Sequence, residues 1–115
     1  MLFDFSINDQ NTPVIISLSG ELIEKNQATE LLAKIDELLN ENKTKFVINL
    51  ANLKYMNSSG LNTLIQLLTK ARTKGGDTVI CNMNKKINEL LLITKLNTLF
   101  KVVDNEAQAL KMLGN

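Results

Sequence analysis

The sequence predicts an α/β domain: a mixed sheet of four or five strands with about four helices, in the order ββαβαβα(β)α. Three observations carry this. Short β-branched runs alternate with longer stretches whose apolar residues recur every three to four positions. Helices placed between strands imply right-handed crossovers and therefore a largely parallel sheet. Only a polar turn separates the first two runs, so the chain opens with a hairpin and the sheet is mixed.

Residues 2–7 alternate loosely and read as a first strand, 8–12 as the polar turn, and 14–18 as a short β-branched second strand. Asn26 precedes the stripe Ala28, Leu31, Leu32, Ile35, Leu38 and Leu39, which predicts a helix near 26–40 ending at Asn40-Glu41-Asn42-Lys43. Residues 46–50 are almost continuously apolar, as a strand covered on both faces should be. Leu61, Leu64, Ile65 and Leu68 predict a second helix near 59–74, stopped by Gly75-Gly76. Val79-Ile80-Cys81 is another short strand. Ile87, Leu90, Leu91 and Thr94 share one side of a third helix near 84–95. Lys101-Val102-Val103 predicts a last short strand. Asp104 is the expected cap of a final helix near 105–113, with Ala107, Leu110 and Leu113 turned inward. No repeat, linker or low-complexity tract divides the chain, so 1–115 is expected to be one domain.

Composition narrows the function. Leu, Ile, Val and Phe make up about a third of the residues, far above the level expected of a disordered chain. Thirteen basic against twelve acidic side chains leave a net charge of +1, which suggests no nucleic-acid footprint. No apolar run approaches the length of a membrane span, and Met1-Leu2-Phe3-Asp4 lacks the basic start of a signal peptide, so a cytoplasmic protein is expected. The chain has no histidine, which excludes imidazole as base, acid or metal ligand. Its single cysteine, Cys81, sits in an apolar run, which excludes disulfide frameworks and clustered-cysteine zinc sites and suits a buried thiol. No metal or cofactor is expected.

Sites in such sheets favour the loops at the carboxyl ends of strands, expected at 19–27, 51–60 and 81–85. The second of these ends in Asn57-Ser58-Ser59-Gly60, between a buried strand and a helix. A serine hydroxyl there serves as a plain helix cap. The same geometry also favours a phosphate at the positive end of the helix, with Gly60 adding little bulk. A nucleophile elbow would need Gly-x-Ser-x-Gly and a histidine, and both are missing. Gly75-Gly76 is not followed by Gly-Lys-Ser/Thr and is no phosphate loop. A phosphoacceptor of the response-regulator kind would need carboxylates where Asn49-Leu50-Ala51-Asn52 stands.

These segments together resemble the STAS domain, and within it the stand-alone anti-sigma factor antagonists. The resemblance rests on Leu18-Ser19-Gly20-Glu21-Leu22, on Phe46-Val47-Ile48-Asn49-Leu50 with Leu53, on Met56-Asn57-Ser58-Ser59-Gly60-Leu61, and on Lys74-Gly75-Gly76 before Val79-Ile80-Cys81. It implies a partner-switching regulator and not an enzyme. Such an antagonist binds a serine kinase acting as an anti-sigma factor, so that the sigma factor is released. The kinase phosphorylates the first serine of the turn, here Ser58, and a metal-dependent serine phosphatase reverses this. The implied partner surface takes in Gly20, Glu21, Leu22, Asn57, Ser58, Ser59, Gly60 and Asn62. Two positions depart from the family pattern. Asn57 and Ile23 stand where members usually carry Asp. A second reading within the family is a STAS subunit that is not phosphorylated and docks into a larger assembly, such as a lipid-transport complex or stress-sensing particle. It would use the helix after Ser58, whose polar side carries Asn62, Gln66, Thr69, Lys70 and Thr73.

Overall fold

The structure, a computed structural model, describes residues 2–114; Met1 of the amino-terminal stretch read above and Asn115 lie outside the described residues. Five strands, β1 (Asp4–Asn8), β2 (Val14–Leu22), β3 (Lys45–Met56), β4 (Asp77–Cys81) and β5 (Lys101–Val103), form one sheet in chain order. The hairpin β1–β2 is antiparallel and the remaining neighbours are parallel, so the sheet is mixed as the element order implies. Four helices connect and follow the strands: α1 (Thr29–Asn40), α2 (Ser58–Thr73), α3 (Lys85–Ile93) and α4 (Glu106–Met112). The start expected for the first helix, near 26, is a separate 3-10 turn over Lys25–Ala28.

Both central strands run further than the sequence predicts. β2 reaches Leu22 and β3 reaches Met56, so 19–22 and 51–56 are ladder and not loop. Ser19 pairs with Asn52, Gly20 with Leu53, Glu21 with Tyr55 and Leu22 with Met56. The register slips between Ser17 and Ser19 and again between Gly20 and Glu21. Each slip puts an extra residue on β3, which breaks the period of two by which a strand is recognised. Ala51 and Asn52 are exposed in succession, as are Lys54 and Tyr55, while Leu53 and Met56 are buried.

One large cluster unites α1, α2 and α3 with a single face of the sheet. Leu31, Ile35 and Leu38 of α1, Leu61, Leu64 and Leu68 of α2, and Ile87 and Leu91 of α3 meet Ile16, Leu18, Phe46, Ile48 and Leu50 there. The opposite face is covered by α4, through Ala109 and Leu113 on Val47, Val79 and Cys81. Here the inward residues differ from expectation. Ala107 is exposed and Ala109 takes the buried place against Val47, Val79 and Cys81, and the cap is Asn105 and not Asp104. Asn105 Oδ1 accepts from the Gln108 N–H at 2.9 Å, and Gln108 Oε1 accepts from the Asp104 N–H at 3.0 Å. Thr94 also lies outside the core. It ends α3 with its hydroxyl donating to the Leu90 carbonyl at 2.7 Å.

Asp77, at the start of β4, fastens the far side of the sheet. It accepts from Arg72 Nε of α2 at 3.2 Å and pairs with Lys101 Nζ of β5 at 2.6 Å. Burial pushes its carboxyl up, but the Lys101 ammonium, the Thr78 N–H and the Arg72 guanidinium outweigh this and hold it below the ordinary value. A carboxyl lowered in the folded state contributes stability above its unfolded pKa, and that contribution fades as the pH falls through the folded one. The stability advantage of wild type over Asp77→Asn, measured by urea denaturation, is therefore expected to be full at about pH 6 and to shrink below about pH 4. Leu64 is wholly buried in the main cluster. Leu64→Ala is expected to cost about 2–5 kcal/mol in the same measurement, through lost burial and the cavity left behind.

Candidate functional site

The turn between β3 and α2 is built around Asn57. Its extended backbone (φ −107°, ψ −164°) places it just outside the helix as the cap. Its Oδ1 accepts from the Ser59 and Gly60 N–H groups at 3.0 and 3.2 Å, and its Nδ2 donates to the Ile23 carbonyl at 3.0 Å. The orientation of this amide is chemically fixed, since backbone N–H groups only donate and a carbonyl only accepts. The sequence reading assigned the cap to a serine hydroxyl. Asn57 performs it instead, which leaves Ser58 as the first helical residue with its side chain outside the capping geometry. Ser58 and Ser59 are both exposed.

Gly60 allows the turn to seat, and Gly20 allows the amino-terminal segment to pass close to β2. A Cβ on Gly60 would stand 2.3 Å from the Leu22 carbonyl oxygen and 2.8 Å from Met56 Cβ, so only glycine lets α2 start against the end of β2. Gly20 has φ +82°, and a Cβ there would meet the Leu2 carbonyl oxygen at 1.8 Å. Leu22 itself is fully buried. Leu22 and Gly60 therefore form the floor of the turn, while Gly20 lies against the amino-terminal segment and not against the turn. Asn62 and Ser59 are exposed, while Asn57 and Glu21 are half-buried.

Sequence reasoning missed Gln27. Its Oε1 accepts from the Ile23 and Glu24 N–H groups, both at 2.8 Å, and its Nε2 donates to the Glu21 carbonyl at 3.1 Å. Three bonds from one amide close the loop after β2, and Asn57 ties that loop to α2. The available signal was the spacing Glu24-x-x-Gln27, the separation of a capping box. The departures noted above acquire a physical sense here. A carboxylate at 57 could still cap α2 but could not donate to the Ile23 carbonyl.

The first turn of α2 carries no acidic residue, so no side chain of the helix's own first turn offsets the partial positive charge at its start. Elsewhere the chemistry is quiet. Burial, and then the charge of Glu106, push the Cys81 thiol up to about 11, so at neutral pH it is a protonated, inert group. Asn49, which lies in the middle of β3 and not at its end, donates from Nδ2 to Glu106 Oε2 at 2.6 Å. Among the described residues no three His, Cys, Asp or Glu side chains are grouped to hold a metal ion, and no helix is long and apolar enough to cross a membrane.

A small mixed sheet with three helices on one face, and an exposed serine opening the helix after a long central strand, define a class of compact α/β module. Residues 4–109 match the STAS domain family, and the chain belongs to it. It is 31% identical over 101 residues to an anti-sigma F factor antagonist of Paenibacillus polymyxa, spanning 87% of this chain and 86% of the relative. An anti-sigma factor antagonist of Mycobacterium paratuberculosis superposes with a TM-score of 0.82 at 19% identity, over 98% of this chain and 95% of that one. The Bacillus cell-fate determinant SpoIIAA in its phosphorylated form does so with a TM-score of 0.73 at 21% identity, over 95% and 98%. At these identities the two superpositions establish the fold.

Asn57→Ala removes the cap and the tie to Ile23 together, and is expected to cost about 1–2 kcal/mol by urea denaturation. Asn57→Asp is expected to cost less, because the carboxylate still caps and gains from the helix dipole.

Proposed function

We propose that this protein is an anti-sigma factor antagonist, working in the cytoplasm as one STAS domain and catalysing nothing itself. Unmodified, it binds an anti-sigma factor serine kinase and so frees a sigma factor. Phosphorylation of Ser58 ends the complex, and a serine phosphatase acting on phospho-Ser58 restores it. The observation that carries the reading is that Ser58 is exposed at the start of α2 while Asn57 does the capping. Its hydroxyl is open to modification without dismantling the helix. The relative from Paenibacillus polymyxa, whose name is that of an anti-sigma F factor antagonist, supports it further.

The physics of the switch is a change of charge on a neutral turn. Asn57, Ser58, Ser59, Gly60 and Asn62 carry no charge before modification, and a phosphate adds about −1.5 to −2. A partner packed over the turn would have to bury that charge or meet it with its own carboxylates. A loss of about 3 kcal/mol lowers affinity more than a hundredfold, which suffices for a switch.

Titration calorimetry with the anti-sigma factor kinase from the same genome, paired with a phosphorylation assay, tests this. Ser58→Ala is expected to bind as wild type does and to stay bound when ATP is added. Ser58→Asp is expected to bind at least about tenfold more weakly. Ser59→Ala remains phosphorylatable. Equal affinities for wild type and Ser58→Asp, with no phosphate entering at Ser58, would instead indicate a STAS subunit held in an assembly without phosphorylation.

A further inference from the structure

The two edges of the sheet carry surfaces that complement each other. At one edge the apolar side chains of Phe3, Phe5 and Ile7, all half-buried, lie beside α1, the helix that partly covers this edge. Between β1 and α1 runs a groove of three adjoining hollows, of about 430, 210 and 360 Å3, with Phe5 lining all of them. Its rim is acidic. Asp4, Asp9, Glu30, Glu37 and Glu41 line it against Lys34, and Lys43 pairs with Asp9 at 4.0 Å and Glu41 at 3.5 Å. With both lysines counted, including Lys34 at 3.6 Å from Glu37, the rim remains three charges negative on a chain whose total is +1.

The opposite edge shows the converse. Leu92 is 53% and Ile93 79% exposed at the end of α3, the helix whose start, at Lys85 and Asn88, shares a hollow with Val102 and Val103 of the short edge strand β5. Lys85 and Lys86 stand seven residues before them, two helical turns back on the same sides of α3. Lys95 follows, and Glu89 is the single acid between, so 85–95 carries three positive charges against one negative. A basic helix with two exposed aliphatic side chains is what an acidic groove with an aromatic floor accommodates. The lengths agree as well: α3 spans about 13 Å and the β1 wall about 17 Å.

We propose that the protein associates head to tail with further copies of itself, α3 of one copy lying in the β1–α1 groove of the next. Because α1, α2 and α3 share one face of the sheet, this contact places the β5 edge of one copy beside the β1 edge of its neighbour and continues the helical layer. The two surfaces differ, so the contact does not close on two copies and adds molecules in a row. Neither surface includes Asn57, Ser58 or Ser59, so the association is separate from the proposed phosphorylation switch. A contact of about 600 Å2 per copy, roughly a tenth of the 6430 Å2 surface, belongs among weak interfaces and forms at high local concentration.

Sedimentation equilibrium of the intact protein tests this between about 10 μM and 1 mM, a range suited to so weak a contact. In low salt the average mass is expected to climb past two chains of 12.8 kDa. Raising the salt from about 50 to 500 mM should weaken association at least tenfold. Ile93→Glu spoils the helix side, and Glu30→Lys with Glu37→Lys spoils the groove side; all three positions are exposed, and circular dichroism checks folding. Each variant alone is expected to be monomeric. Mixed in equal amounts, they should pair one to one and stop at two chains, since one intact groove and one intact helix remain. Leu92→Glu, also exposed, substitutes for Ile93→Glu if that variant fails to fold. Wild type that stays monomeric throughout, wild type that stops at a closed dimer, or a mixture of variants that does not pair would each overturn the proposal.

Discussion

The rest of the structure depends on how closely α2 starts against the end of β2. Leu22 is paired with Met56 across the β2–β3 ladder, and Gly60 sits where any side chain would strike the Leu22 carbonyl or Met56. The same spot therefore fixes the exit of one strand, the exit of its neighbour and the entry of the helix. Asn57 completes the joint by capping α2 with one end of its amide and holding the Ile23 carbonyl with the other. The position of Ser58 follows from backbone packing around it, and its own side chain contributes nothing to that placement.

This arrangement separates structural duty from exposed chemistry. On the structural side stand buried or half-buried groups: the two glycines, Leu22, Gln27 with its three bonds, and Thr63, whose hydroxyl donates to the Ser59 carbonyl at 3.3 Å. On the exposed side stand the two serines and Asn62, all neutral, at a helix start whose partial positive charge has no acidic neighbour in the first turn. A group that adds charge there changes the surface without undoing the packing beneath. On the opposite face of the sheet a protonated Cys81 lies buried under α4 and Asn49 is bonded to Glu106.

Much of this was legible in the residues. The stripes of α1 and α2 predicted their buried faces, and the nearly continuous apolar run at 46–50 predicted the central strand. The Asn57-Ser58-Ser59-Gly60 turn stood out through its place between a buried strand and a helix together with the family resemblance, since its residues alone suit a plain helix cap. The strand beyond residue 50 was hidden, because the register slips interrupt the alternation that would reveal it. The capping residue of α2 was misassigned by one position. Asn and Ser both cap well, and nothing local distinguishes them. What distinguishes them is the Ile23 carbonyl, which reaches the turn from a segment 34 residues away in the chain.

The order of elements and the buried stripes of α1 and α2 were determined by the sequence alone, since helix and strand periods are local and burial follows them. So was the neutrality of the turn, which is composition. Which residue caps α2, that Gln27 closes the loop after β2, and that Ala109 and not Ala107 faces the sheet were decided by tertiary structure. So was the placement of the acidic groove and the basic helix at opposite edges. Each of these depends on groups distant in the chain meeting in space, through a carbonyl, a register slip or a sheet edge. Local periodicity carries no information about such meetings, because the energy that selects them belongs to the assembled fold.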